Sequence, residues 1–179
     1  MSRSKICIVP MSLVVVLGAS ACGGGRLVAR DEAPVLTSEQ GFIAIAADIN
    51  ERTALLFCRD ADMIHCVDIG PLPPEDALAV TLVPAGRYCL VTVACEAMGG
   101  VSGHTRQIEP EKSSCFDVAP GTISYPGHFV YRVRETPTMM IHVEDGWEKR
   151  DTFEATVRAA YPKLASWPVR TVRIGGVRK

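Results

Sequence analysis

The chain has 179 residues, with 19 Lys and Arg against 20 Asp and Glu and a formal net charge of −1. That balance leaves no electrostatic footprint for a nucleic-acid partner. Hydrophobic residues at 47% supply ample material for a core, in a length typical of one domain or slightly more.

Arg3 and Lys5 precede a nearly unbroken apolar run from Ile6 to Val16, interrupted by Pro10 and Ser12. Leu17-Gly18-Ala19-Ser20-Ala21-Cys22 follows. A basic start, a short apolar core and small residues before a cut site are the parts of a secretory signal, and the run is too short to span a bilayer. The segment resembles the lipobox of bacterial lipoproteins, with Ala19 standing where leucine is commoner. The resemblance implies cleavage after residue 21 and acylation of Cys22. The lipid bilayer then becomes the first partner, and simple secretion with an unmodified Cys22 is the alternative. Gly23 stands where an aspartate often marks retention at the inner membrane, so the resemblance implies the outer membrane, facing the periplasm. Gly23, Gly24 and Gly25 and the polar residues to about Glu39 read as a flexible tether over 22–40. The mature chain keeps 158 residues (179 − 21), with 17 basic and 20 acidic side chains.

From residue 41 onward the pattern is strand-like. Apolar or alternating runs lie at Phe42–Ala47, Ala54–Cys58, Ile64–Ile69, Leu78–Val83, Arg87–Cys95, Cys115–Val118, Ser124–Val133 and Thr138–Glu144. Turn residues separate them: Asp48 to Arg52, the stiff Gly70-Pro71-Leu72-Pro73-Pro74, Pro84-Ala85-Gly86 and Pro120-Gly121. Residues 96–114 read as one long loop. Short strands at close spacing predict an antiparallel β-sandwich over 41–179. One helix stands out near 151–164. Asp151 and Glu154 fit a capping box, and Phe153, Val157, Ala160, Tyr161 and Leu164 form one apolar stripe that can cover the sandwich. Val169 to Ile174 can add an edge strand.

Five cysteines remain beyond Cys22, an odd number in an exported chain, where cysteines are read first as disulfides. Cys58 and Cys66 flank a polar hairpin tip. Cys89 and Cys95 lie on one strand roughly 20 Å apart, too far to bridge. A Cys95–Cys115 bridge would close the long loop and contribute about 3 kcal/mol, leaving Cys89 a buried thiol. Sequence alone does not choose among the pairings.

Leu82-Val83-Pro84-Ala85-Gly86-Arg87-Tyr88, Val118-Ala119-Pro120-Gly121 and Tyr125-Pro126-Gly127 share a pattern in which Pro and Gly set a tight turn and an aromatic packs over it. Over about residues 41–145 the chain resembles lipoproteins with a carboxypeptidase-regulatory or transthyretin-like sandwich. This resemblance implies an accessory or binding module of the cell envelope, with a protein or glycan partner and no catalytic residue to carry over.

Other chemistry is sparse. His104, Arg106 and Glu111 are the most capable side chains of the 96–114 loop, which is either a partner-binding site or a variable surface loop. If Glu135-Thr136-Pro137 is a hairpin tip, Val130 faces His142 and His128 faces Glu144. Two imidazoles and a carboxylate could then hold zinc, against the plainer reading of a solvated sheet face. Asp60 and Asp62 lack the continuation of an EF-hand loop. Gly100-Val101-Ser102-Gly103-His104 lacks the final glycine of a nucleophile elbow. The expectation is a non-enzymatic envelope lipoprotein with no cofactor, and the alternative is a small hydrolase or metal-dependent enzyme.

Overall fold

The computed structural model describes residues 25–49, 52–60, 64–72, 77–95, 104–108, 114–133, 139–145 and 150–172. The strands are β1 (Arg26–Leu27), β2 (Gln40–Ile49), β3 (Thr53–Arg59), β4 (Cys66–Leu72), β5 (Ala77–Pro84) and β6 (Gly86–Cys95). They continue as β7 (His104–Gln107), β8 (Cys115–Val118), β9 (Ile123–Tyr125), β10 (Gly127–Val133) and β11 (Met139–Asp145). The helix α1 (Arg150–Ala160), a 3₁₀ turn at Pro162–Leu164 and β12 (Val169–Thr171) complete the described chain. Among the described residues the protein is mainly β with one α-helix, as the alternation of apolar residues predicts.

Two sheets share one core. The seven-stranded sheet runs β1-β5-β2-β10-β11, with β9 beside β2 and β12 beside β9. The five-stranded sheet runs β4-β3-β6-β7, with β8 also on β6. Ile43, Ile45, Ala47 and Ile49 of β2 meet Leu55 and Phe57 of β3 and Leu90 of β6 in this core. Phe57 sits edge-on to Phe116 at 5.6 Å and to Phe129 at 5.9 Å between ring centres, a favoured arrangement for aromatic pairs.

The expectation of purely antiparallel pairing does not hold. β2 runs parallel to β9 and β10, and β12 runs parallel to β9. Parallel neighbours need a long crossover between them. Here the whole five-stranded sheet is inserted between β2 and β9. The composition of β2 carries the consequence. Its even-numbered residues Phe42 and Ala44 belong to a second cluster, on the opposite face from Ile43 and Ile45. Burial on both faces explains why Phe42–Ala47 is an unbroken apolar run.

The second cluster is closed by the helix. Phe153, Val157, Tyr161 and Leu164 pack against Phe42, Val80, Leu82, Ile123 and Tyr125, so the predicted stripe faces the sheet. The Phe153 ring stacks on Tyr125 with centres 3.5 Å apart. The helix begins at Arg150, and Asp151 lies inside its first turn rather than capping it. There the carboxylate still opposes the positive end of the helix dipole. Glu154 bonds Arg158 one turn later, with Arg158 Nε donating at 3.1 Å. The Arg158 guanidinium also donates to the carbonyl of Ala165, tying the helix to the turn that follows it.

Two predicted breaks are absorbed into strands. Asp48 and Ile49 extend β2 and pair with Val130 and Tyr131, because Ile49 keeps the alternation and is buried in the shared core. β4 continues through Gly70 and a cis Gly70–Pro71 peptide to Leu72. β4 lies at the end of its sheet, where a missing backbone donor is tolerated.

Candidate functional site

The tether ends earlier than composition suggests. Of the segment read as flexible over 22–40, residues 25–39 lie on the fold. Arg26 pairs with Leu82 and Leu27 with Thr81 in β5. The amide of Val28 donates to the carbonyl of Val80 at 2.9 Å, and the Val28 side chain is buried in the second cluster. Gly25 is pressed between the two sheets. A Cβ there would lie 2.4 Å from Val67 Cγ2 and 2.6 Å from Val83 Cγ1, so only glycine fits. Arg26 and Glu32 form an exposed ion pair at 2.6 Å, which holds the Glu32 carboxyl below its usual range. Cys22 itself lies outside the described residues.

Several turns gather at the end of the molecule where Gly25 emerges. The amide of Asp60 donates to the Arg87 carbonyl at 2.8 Å, and that of Ala85 to Glu39 at 2.7 Å. The amide of Gly121 donates to Gln40 at 2.8 Å. The Arg59 guanidinium lies over the backbone of Gly86. Tyr88 Oη donates to the Pro84 carbonyl at 2.9 Å, so the aromatic does fold over the Pro-Ala-Gly turn as the spacing predicts. Burial pushes its phenol above the ordinary range. Among the described residues, the exposed large apolar side chains are Leu27 (45%), Val35 (91%) and Ile64 (81%).

The cysteines form a row. Cys66 faces Cys58, Cys58 faces Cys89, and Cys89 faces Cys115 across β4, β3, β6 and β8. Disulfides join Cys58 to Cys66 and Cys89 to Cys115, with Cα atoms 3.9 and 4.0 Å apart. Because neighbouring residues Phe57, Leu90, Phe116 and Val67 point into the shared core, the row occupies the opposite face of the five-stranded sheet.

The expected Cys95–Cys115 bridge is corrected by this pairing, and the cause is β7. Residues 104–107, read as loop, fold back along β6 with His104 opposite Cys95 and Gln107 opposite Thr92. Ile108 then bonds Val91 and Ser114 bonds Leu90. By the time the chain reaches Cys115 it has travelled back to the level of Cys89. From Thr92 to Cys89 is three steps, whereas from Gln107 to Cys115 is eight. β7 and β8 are therefore one strand interrupted by the five residues 109–113. Of the three residues proposed for partner binding, His104 and Arg106 sit at strand positions and Glu111 falls outside the described residues. The polar composition of His104-Thr105-Arg106-Gln107 hid the strand. A register count from Cys95 backwards along β6 is the signal that could have found it.

Pairing of β10 with β11 sets His128 opposite Glu144 and Val130 opposite His142, the register expected from the hairpin. His128 is half-buried and engaged in an interaction of its own. Among the described residues no group of three or more His, Cys, Asp or Glu side chains is placed to hold a metal. No described helix is long and apolar enough to cross a membrane.

Comparison with known proteins adds little to this geometry. No protein-family model matches the chain, and no curated protein matches it. Among solved structures, a leucine-rich repeat protein from Bacteroides thetaiotaomicron aligns with 68% of this chain at 10% identity and a TM-score of 0.37. The aligned part spans 16% of that protein, and similarity at this level carries no functional argument.

Proposed function

We propose that the protein is a lipoprotein of the cell envelope, anchored through acylated Cys22, whose β-sandwich acts as a non-enzymatic binding or assembly module for a protein or glycan partner. The observation that carries the reading is the segment Arg3 to Cys22, in which basic, apolar and small residues end at a cysteine. Two disulfides within one sheet suit an oxidising compartment. The shared core between the sheets supports a sandwich with a rigid frame, and turns over such frames are common places for recognition. An outer-membrane position facing the periplasm follows from Gly23 after the anchor.

Two measurements test the reading. Replacing Cys22 with Ala should abolish incorporation of a palmitate analogue and release the protein from membranes. Continued retention of the variant at the membrane would remove the anchor. Cross-linking in intact envelopes followed by mass spectrometry should capture one dominant partner. Absence of specific capture by folded, anchored protein would count against the binding module.

A metal-dependent enzyme is the second reading; its starting point is the register that sets His128 opposite Glu144, and the described residues hold no group of three candidate ligands. Stoichiometric zinc in purified protein, lost when His128 and His142 become Ala, would support it.

A further inference from the structure

We propose that the end of the protein formed by Gly25, the β3–β4 tip and the β5–β6 turn is seated on the bilayer holding the Cys22 anchor, with Ile64 entering the lipid interface. The inference rests on acylation at Cys22 and adds an orientation to it. Three chain steps, through Gly23 and Gly24, join Cys22 to Gly25, a covalent reach of about 10 Å at full extension. Gly25 is wedged against Val67 and Val83, so the anchor joins a fixed point on the fold. Domain and membrane are thereby held nearly in contact.

The strand directions decide which end faces the lipid. β1 is antiparallel to β5, with Arg26 opposite Leu82 and Leu27 opposite Thr81. Followed backwards from Leu27 to Gly25, β1 therefore points toward Pro84 and the β5–β6 turn. The tip of the β3–β4 hairpin lies at the same end, because Asp60 bonds Arg87 and Arg59 bonds His65 there. Ile64 is three residues along the chain from Val67, the residue that touches Gly25.

One large exposed apolar side chain among the described residues, Ile64, lies at this end. Leu27 sits farther along β1, opposite Thr81. Charge at this end is mixed, with exposed Arg59 next to exposed Asp60 and with Glu39 and Asp117 nearby in the fold. Electrostatic attraction to anionic headgroups therefore does not set the orientation. The short anchor supplies the affinity, and insertion of an apolar side chain into the interface supplies the preference for one face.

The test uses acylated full-length mature protein reconstituted into vesicles of phosphatidylethanolamine and phosphatidylglycerol, with or without bromine on the acyl chains. Ile64→Trp reports on the tip, and Ala155→Trp, on the exposed side of the helix, serves as the control. Both are read against the emission of Trp147 and Trp167 in the parent. Bromine should quench the emission added at position 64 several-fold more strongly than that added at 155. Equal quenching at both positions, with the protein floating with the vesicles, would overturn the seating while leaving the anchor intact. A parent protein that fails to float with the vesicles would overturn the anchor and the seating with it.

Discussion

Removing the Cys89–Cys115 bridge is the sharpest perturbation of the fold, because its effect depends on which cysteines are joined. The bonded residues are 26 apart in sequence. In the loop-entropy account a cross-link of that span stabilises by about 3.5 kcal/mol, and the Cys58–Cys66 bridge, with a sequence separation of 8, by about 2.5 kcal/mol. Each double alanine variant also loses two sulfur atoms, and that packing cost largely cancels when the pairs are compared. The Cys89→Ala/Cys115→Ala variant should therefore be about 1 kcal/mol less stable than Cys58→Ala/Cys66→Ala. Equilibrium urea unfolding of the mature chain carrying Cys22→Ser measures this, and peptide mapping without reduction identifies the bridges directly. Cys95→Ala should leave both bridges in place. A map joining Cys95 to Cys115, or a loss of stability in Cys95→Ala as large as that of a broken disulfide, would refute the register of β7 on β6.

Phe153→Ala removes the ring stacked on Tyr125 and should cost about 3–5 kcal/mol, read as a lower urea midpoint. Gly25→Val forces a branched side chain into Val67 and Val83. It should detach the start of β1, which hydrogen exchange at Leu27 and Val28 will report as lost protection. Tyr88→Phe deletes the hydroxyl that donates to Pro84 and should lower stability by about 1 kcal/mol. Burial raises the pKa of Tyr88 and of Tyr161 above the ordinary value of 10.0. Near and above that value the unfolded chain releases protons that the folded chain retains. Stability is thus full below pH 10 and is lost as pH rises through the folded-state values. Alkaline titration of unfolding should show this decline, and Tyr88→Phe/Tyr161→Phe should flatten it.

Much of the fold is legible in the residues, and its failures share a cause. Alternation in β5 and β6, the stripe on α1 and the turn at Pro84-Ala85-Gly86 are local patterns, and each forms as the local chemistry dictates. Parallel pairing of β2 with β9 and β10 is a long-range event that leaves only an indirect trace, the doubly buried run at Phe42–Ala47. β7 carries no apolar alternation because its place is set by backbone pairing with β6, and that pairing is what carries Cys115 back to Cys89 and away from Cys95. The segment after Cys22 reads as tether by composition. Two contacts decide otherwise, the backbone bond from Val28 to Val80 and the fit of Gly25 between the sheets. At the candidate site, the hairpin register around His128 follows from turn placement alone. The gathering of Gly25, Arg59 and Ile64 at one end depends on strand order, which composition does not encode.

The interrupted strand formed by β7 and β8 divides one edge into two independently fastened pieces. Pairing with Thr92 to Cys95 holds the first, and the bridge from Cys89 to Cys115 holds the second. Neither fastening depends on the number of residues between them, and closing a longer loop costs free energy only slowly with length. Residues 109–113 thus mark a splice point. An epitope inserted between Ile108 and Ser114 should therefore leave the pairs on either side in register.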